Sequence, residues 1–286
     1  MEALVHSRPR RSASRLTFLE DDPGPDRLLR AIVANSRRWI TRWARAGGGE
    51  VHQQNGVTWV YTPKPEAVGE IAFPRLTEAG ADAQLDIIMT YYRSQRPLTP
   101  VICWSVDPPQ PRDLGERLLA RGFHWHGRTH WMWLDLHRME TNHPRPPGLR
   151  IELVEDERAD EHAPAAVVAV TRTRPRRVWR FAASLDGKPV GQSWLHLTTG
   201  SLGVAGLYAV HVDPAARNQG VGKAVSLAAC QFAQALDCRC AILNATDMGE
   251  PVYRRLGFAA TGAGQTWWWN PEATAGRGEP VRHDDG

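Results

Sequence analysis

The sequence predicts a mixed α+β sheet fold, present twice in tandem, and three observations carry that expectation. After a proline-rich break, strand-like segments come four in a row and then alternate with helices, the pattern of a mixed sheet. One strand of that series runs straight into a glycine-rich turn that opens a long apolar-faced helix. The stretch Gly115–Phe123 followed by Trp131-Met132-Trp133 is echoed by Glu250–Phe258 followed by Trp267-Trp268-Trp269, about 135 residues later.

Taken in order, residues 1–24 read as a basic, flexible tail ending in Asp21-Asp22-Pro23-Gly24. Leu28, Leu29, Ile32, Val33, Trp39, Ile40 and Trp43 then recur at helical spacing, so Asp26–Arg45 is expected to be a helix stopped by Gly47-Gly48-Gly49. Val57–Tyr61 and Val101–Val106 read as strands, Leu114–Arg121 as a short helix ended by Gly122, and Thr129–Leu136 as a strand. Residues 141–148, with three prolines and a glycine, form an inter-domain linker. Beyond it, Leu149–Val154, Val178–Leu185 and Val190–Leu197 are strands, the last two joined by an Asp186-Gly187 hairpin turn. Ala205–Val212 is a further strand, and Val221, Val225, Ala228, Phe232 and Leu236 share one helix face. Ala241–Asn244, a helix at Pro251–Leu256 and a strand at Thr266–Trp269 complete this half, and residues 271–286 read as a second flexible tail.

Composition narrows the class. The 286 residues are 42% hydrophobic and 23% charged, which marks a globular chain, and no apolar run approaches the ~20 residues that cross a bilayer. Four scattered cysteines (Cys103, Cys230, Cys238, Cys240) make no disulfide framework, so a reducing, cytoplasmic setting is expected. Ten arginines in residues 1–50 face six acids, which accounts for the whole-chain charge of +4. A solvated tail and an amphipathic helix explain that excess without a nucleic-acid partner. His124, His126 and His130 alternate as strand residues do, and Cys238-x-Cys240 lacks ligand spacing, so no metal is expected.

The chemistry concentrates in Val210-His211-Val212-Asp213-Pro214-Ala215-Ala216-Arg217-Asn218-Gln219-Gly220-Val221-Gly222-Lys223. A strand ends, Asp213-Pro214 turns the chain, and a helix begins at two glycines. Backbone N–H groups there converge at the positive end of a helix dipole, a seat for a diphosphate. A Cβ at Gly220 or Gly222 would hold a phosphate off the backbone, and Arg217 and Lys223 add charge at the rim. A Walker loop requires glycine at position 217 and Ser/Thr at 224, where Arg217 and Ala224 stand. A dinucleotide fingerprint requires glycine at position 225, where Val225 stands.

At these residues the sequence resembles the GCN5-related N-acetyltransferase (GNAT) family. Arg217–Gly222 matches the family's acetyl-CoA loop, and Ala245-Thr246, Gly249 and Tyr253-Arg254-Arg255-Leu256-Gly257-Phe258 match a second signature at the expected distance. The resemblance covers residues 149–270 and implies a catalytic GNAT domain there. It implies that backbone groups of Val210 and Val212, with His211 between them, pair with the pantetheine arm. Amides of Asn218, Gln219, Gly220, Val221, Gly222 and Lys223 would hold the pyrophosphate, and Asn244 would touch the cofactor arm. Tyr253 would protonate the CoA thiolate, and an amine would attack the thioester directly.

Residues 25–140 then read as a degenerate GNAT-like copy, because Leu118 stands where Tyr253 is echoed and no Gly-x-Gly loop precedes Val101. Only residues 156–177, interrupted by Pro164 and Pro175, are available for the family's two acceptor-wall helices, so the N-terminal half is expected to complete the wall. Candidates for a base are Glu152, Glu155, His196 and His211. The expected acceptor is a small-molecule or peptide amine, with no membrane or nucleic-acid partner and no metal. The alternatives are a non-catalytic acyl-CoA sensor and acetylation of a sugar–cysteine amine.

Overall fold

Helix α1 spans Pro25–Ala46 in the computed structural model, which describes residues 16–20, 23–63, 68–141, 143–155 and 164–271. Proline suits the first helical turn, where its missing N–H costs nothing. Leu28, Ala31, Ile32, Asn35, Ser36, Ile40, Thr41 and Ala44 make its buried stripe at three-to-four-residue spacing. Most of both expected tails lies outside the described residues, as does the 156–163 part of the expected acceptor wall. Residues 17–19 are not a free tail: Leu19 is fully buried and donates its N–H to Gly203 O at 2.8 Å, and Thr17 O accepts from Gly200 N–H at 2.9 Å.

The remaining elements are β1 (Glu50–Gln54), β2 (Val57–Tyr61), β3 (Gly69–Ala72), α2 (Ala81–Gln95), β4 (Val101–Val106), α3 (Leu114–Leu119), β5 (Phe123–Asp135), β6 (Leu149–Val154), α4 (Ala165–Thr171), β7 (Val178–Leu185), β8 (Lys188–Leu197), β9 (Ala205–Val212), α5 (Val221–Ala235), β10 (Cys240–Ala245), α6 (Glu250–Arg254) and β11 (Ala259–Trp269). The Asp186-Gly187 turn joins β7 to β8 with φ of 49° and 80°, as a two-residue hairpin turn requires.

The chain forms two compact units, and they divide it differently from the sequence-based halves. The first takes in the described residues of Met1–Ala46 and Arg128–Gly264, and the second those of Gly47–Gly127 and Gln265–Gly286. Helix α1, placed by sequence with the 25–140 half, therefore belongs to the first unit.

In the first unit the strand order is β5-β10-β9-β8-β7-β6. Strands β6 to β9 form an antiparallel meander, β10 lies parallel to β9, and β5 is antiparallel to β10. One sheet face is covered by α5, over a core that includes Met132, Leu134, Phe181, Leu195, Leu207, Val225 and Leu243. On the other face α1 packs on α4, β8 and β9. There Asn35 Nδ2 donates to His196 O, Thr198 Oγ1 and Val204 O, each at 3.1 Å, and Tyr208 Oη donates to Asn35 Oδ1 at 2.6 Å. Position 206 must be glycine for this approach, because a Cβ there would lie 2.3 Å from Asn35 Oδ1. Trp39 stacks on Tyr208 at 4.4 Å. The short acceptor-side helix α4 thus has its companion in α1, which precedes the whole sheet in sequence.

The second unit has the order β1-β2-β3-β4-β11, with β3 and β4 parallel. Its core includes Trp59, Ile71, Leu85, Ile88, Tyr92, Leu118, Trp267 and Trp269. The final strand of each sequence half thus contributes to the unit built mainly by the other half: β5 pairs with β10, and Gln265–Trp269 of β11 follows β4. Residues 145–286 expressed alone would lose β5, baring the β10 edge and removing Met132, Leu134 and Leu136 from the core. Each such side chain is worth about 1.5–3 kcal/mol when buried. That fragment is expected to be insoluble or to lack a cooperative melt, whereas a fragment carrying β5 fused at its N-terminus is expected to recover solubility.

Candidate active site

Strand β9 is where the sheet opens. Its parallel pairing with β10 covers only Ala205↔Ala241, Gly206↔Ile242 and Leu207↔Leu243, although β9 continues to Val212. A bulge lies just beyond: Ala209 and Val210 stand between Tyr208, opposite Trp194, and His211, opposite Gln192, with Ser193 alone across from them. Ala209 has φ of 43°, the left-handed conformation that lets the strand bend at this point. From Tyr208 to Val212, β9 keeps β8 on one side, and among the described residues no strand pairs with it on the β10 side. Five residues at ~3.3 Å each make a backbone edge of roughly 16 Å.

The chain leaving that edge builds the glycine loop. A single 3₁₀ turn, Pro214–Ala216, is followed by Arg217 in extended conformation, whose Nε donates to Val212 O at 3.3 Å. Gln219 Nε2 donates to Ala215 O at 3.0 Å, so two long side chains are spent on holding the loop itself. Asn218 and Gly220 have φ of 61° and 84°. Gly220 is the N-cap of α5 and no side chain caps that helix, so its leading N–H groups are left for solvent or an anion. Gly222 has no positive φ, and a Cβ there would rest 3.4 Å from Val212 Cγ2, an ordinary contact. The fold itself therefore demands glycine at 220, and not at 222. The loop is exposed, and Lys223 is half-buried beside it.

Asn244 lies on β10 one residue past the last pair with β9, opposite Trp131 of β5. Leu243 and Ala245 point into the α5-side core, so alternation puts Asn244 on the face that also carries Tyr208. Its Oδ1 is buried and has no hydrogen-bond partner, an orphaned acceptor at the mouth of the opening. His130, its neighbour across the strand pair, donates or accepts at Asp247 Oδ1 over 2.7 Å.

Tyr253 sits on α6, the short helix that follows β10. Its ring meets Phe258 edge-on at 5.7 Å and packs on the core beneath α5. Burial pushes its pKa up to about 12, against the opposing influence of Ser226 on α5. The phenol therefore carries its proton at every pH near neutrality. Ser226 is five residues, or about 7.5 Å, along α5 from its first residue, which brings Tyr253 within one and a half turns of the glycine loop.

The four expected bases lie in different settings, and His211 alone among them stands on the open edge of β9. Glu152 and Glu155 are exposed on or just after β6, the edge strand, three strands or ~14 Å from β9. His196 is buried at 1% exposure, and burial together with Arg42 and Arg38 lowers its pKa to about 3. His211 is exposed and pairs with Asp213 Oδ1 at 3.2 Å. The residues missed by sequence reasoning are Asn35, Tyr208 and Ala209. Only the positions of Asn35 and Ser36 inside an otherwise apolar stripe hint at a polar anchor.

Solved structures described as GCN5-related N-acetyltransferases share this fold. One from Kribbella flavida superposes with a TM-score of 0.62 at 15% identity, covering 83% of this chain and 93% of that one. A tandem GNAT protein from the clavulanic acid biosynthesis pathway gives 0.55 at 14% identity, covering 90% and 98%. Residues 131–258 match the acetyltransferase (GNAT) family model. A glucosamine 6-phosphate N-acetyltransferase of Trypanosoma brucei brucei is 33% identical over 84 residues, 28% of this chain, and the chain spans 57% of that relative's length. Among the described residues no group of three potential metal ligands occurs, and no helix is long and apolar enough to cross a membrane.

His196 makes stability depend on acid. Its folded pKa lies below the unfolded value, so the unfolded chain binds the extra proton, and stability falls as pH drops from about 6.5 towards 3. Three to four pKa units correspond to roughly 4–5 kcal/mol at 1.36 kcal/mol each. Chemical denaturation at pH 7 and pH 4 is expected to show a smaller acid loss in His196→Gln than in the parent.

Proposed function

We propose that the chain is an acetyl-CoA-dependent N-acetyltransferase acting on a primary amine of a small molecule or peptide. The observation that carries this reading is the conjunction of the open β9–β10 edge with the uncapped start of α5, both exposed to one ligand. Acetyl-CoA supplies an activated thioester.

The chain's own groups divide the work. Amides from Asn218 to Lys223 hold the diphosphate, with Arg217 and Lys223 at the rim. Backbone groups of Val210 and Val212, flanking His211 on the unpaired edge, take the extended arm as a strand would be taken. Asn244 Oδ1, buried and unpartnered, accepts from an amide of that arm. A strand N–H at the Ala209 bulge stabilises the oxyanion formed when the amine attacks. Tyr253 then gives its proton to the departing thiolate. The amine's proton leaves through water.

The N-terminal copy serves as a degenerate partner in this reading. Its equivalent helix start, at α2, has the Gly80 N–H bound to Thr77 Oγ1 at 3.2 Å. Asp82 in its first turn is taken by Arg117 of α3 and by Arg121 just beyond that helix. A carboxylate at a helix start repels phosphate, and Leu118, fully buried, stands at the place of the phenol.

Calorimetry with coenzyme A on the intact chain tests the reading directly, and the absence of heat would overturn it. Gly222→Val is expected to abolish that heat with little change in melting temperature, because the cradle is filled without strain. Gly220→Val is expected to lower both, since a β-branched residue at φ of 84° costs about 1–3 kcal/mol. Tyr253→Phe is expected to retain coenzyme A affinity while turnover, followed by thiol release, drops ~10²–10⁴-fold.

A further inference from the structure

In the first unit, the seam between α1, α4 and the start of β7 holds arginines that the mechanism leaves unused. Arg42 on α1 donates Nη1 to Thr173 Oγ1 at 3.0 Å, in the turn that follows α4. The same turn leads to Arg177, whose carbonyl accepts from Leu197 N–H at 2.8 Å at the head of β7. Both guanidinium-bearing residues are half-buried, and Arg38 and Arg45 lie at the exposed rim. Among the described residues no carboxylate forms an ion pair with Arg38, Arg42, Arg45 or Arg177.

That arrangement runs against the ordinary rule that charges withdrawn from water are paired. Burial and the neighbouring positive charges of Arg177 and Arg45 both disfavour the charged form of Arg42. Among the described residues the surroundings add no acid to the seam, and they add several unused nitrogens. Arg42 Nε, Trp43 Nε1 and His196 Nδ1 are all buried without a hydrogen-bond partner. Trp43 meets Trp194 edge-on at 5.3 Å, and Trp39 lies 5.8 Å from His196, so an apolar aromatic wall backs the cations. His196 is opposite Gly206 on β9, two residues or about 7 Å from Tyr208, where the open edge begins.

We propose that this seam binds an oxyanion, such as a phosphate, carried by the amine acceptor, with Arg42 and Arg177 as its principal ligands. The proposal rests on the acetyltransferase reading for the word acceptor, and on the unpaired arginines for the anion. The seam lies on the α1-covered face of the same β8–β9 ladder whose β9 strand continues into the open edge, so one molecule can present its anion to the arginines and its amine to that edge. Half-buried guanidiniums between two helices favour such a small ligand over a nucleic-acid backbone, which needs an exposed basic face.

The test uses the intact chain and inorganic phosphate, titrated at constant ionic strength against chloride. Tryptophan fluorescence reports on Trp39, Trp43 and Trp194, and thermal melting reports on linkage. Phosphate is expected to bind, with affinity weakened at least tenfold in Arg42→Gln and in Arg177→Gln, partly restored in Arg177→Lys, and unchanged in Arg150→Gln on β6. Without phosphate, both glutamine variants are expected to melt no lower than the parent, because a repulsion has been removed. Saturating acetyl-CoA is expected to leave phosphate affinity unchanged, since the two occupy different places. No response beyond that of chloride, the same response in the glutamine variants, or exclusion of phosphate by acetyl-CoA would each overturn the proposal. Displacement of phosphate by duplex DNA with a steep salt dependence would overturn the choice of a small ligand. Phosphate held in the seam without any heat from acetyl-CoA would instead sink the enzymatic reading, and with it the assignment of the ligand as acceptor.

Discussion

The whole site depends on a ladder that stops early. Backbone N–H and C=O groups removed from water require partners, and in a parallel pair the neighbouring strand supplies them. Here β9 and β10 satisfy each other for three residues and then part, because the bulge at Ala209 turns β9 away. An extended ligand can take the vacated positions, and the glycine loop and α5 follow from the same bend, since the strand must end where the helix start can face that ligand. Asn244 marks the other bank, its oxygen buried and unmatched.

Holding the opening in place falls to a helix from the far end of the chain. Asn35 binds the carbonyls of His196 and Val204 and receives the Tyr208 hydroxyl, one residue before the bulge. The stacked Trp39 adds area to a contact otherwise made by hydrogen bonds. Net values of about 0.5–1.5 kcal/mol per hydrogen bond make this docking substantial, and its polar geometry fixes the helix register more sharply than an apolar stripe would. The face beside α4 is therefore assembled from α4 and a segment more than a hundred residues upstream of it.

Much of the local structure was legible because it is written in short-range signals. Alternation located β4, β6 and β9 with the observed bounds, and Asp186-Gly187 declared its turn. The glycine loop and Tyr253 were found from spacing and family resemblance. Other elements left weaker traces. β1, Glu50–Gln54 on a sheet edge, has Val51 as its one apolar residue and so no alternation to read, and β3 is four residues long. Helix α2 does bury positions 81, 84, 85, 88, 89 and 92 at helical spacing, but Gln84 interrupts its apolar stripe. The allegiance of α1 was not readable at all, because nothing local in Asn35 or Trp39 names partners some 160–170 residues away. The burial of His196 and the distance of Glu152 and Glu155 from β9 have the same origin, since reach and burial belong to the folded sheet.

The exchange of final strands has a consequence for how the protein comes into being. Asn35 must wait for Tyr208, 173 positions later, and β5 must wait for β10, before either finds its place. A ribosome releasing the chain from its N-terminus thus extrudes an incomplete sheet for most of the synthesis time, with apolar edges open to strangers. Closing such long loops is slow, and the gap until residue 245 emerges is when a chaperone would matter most.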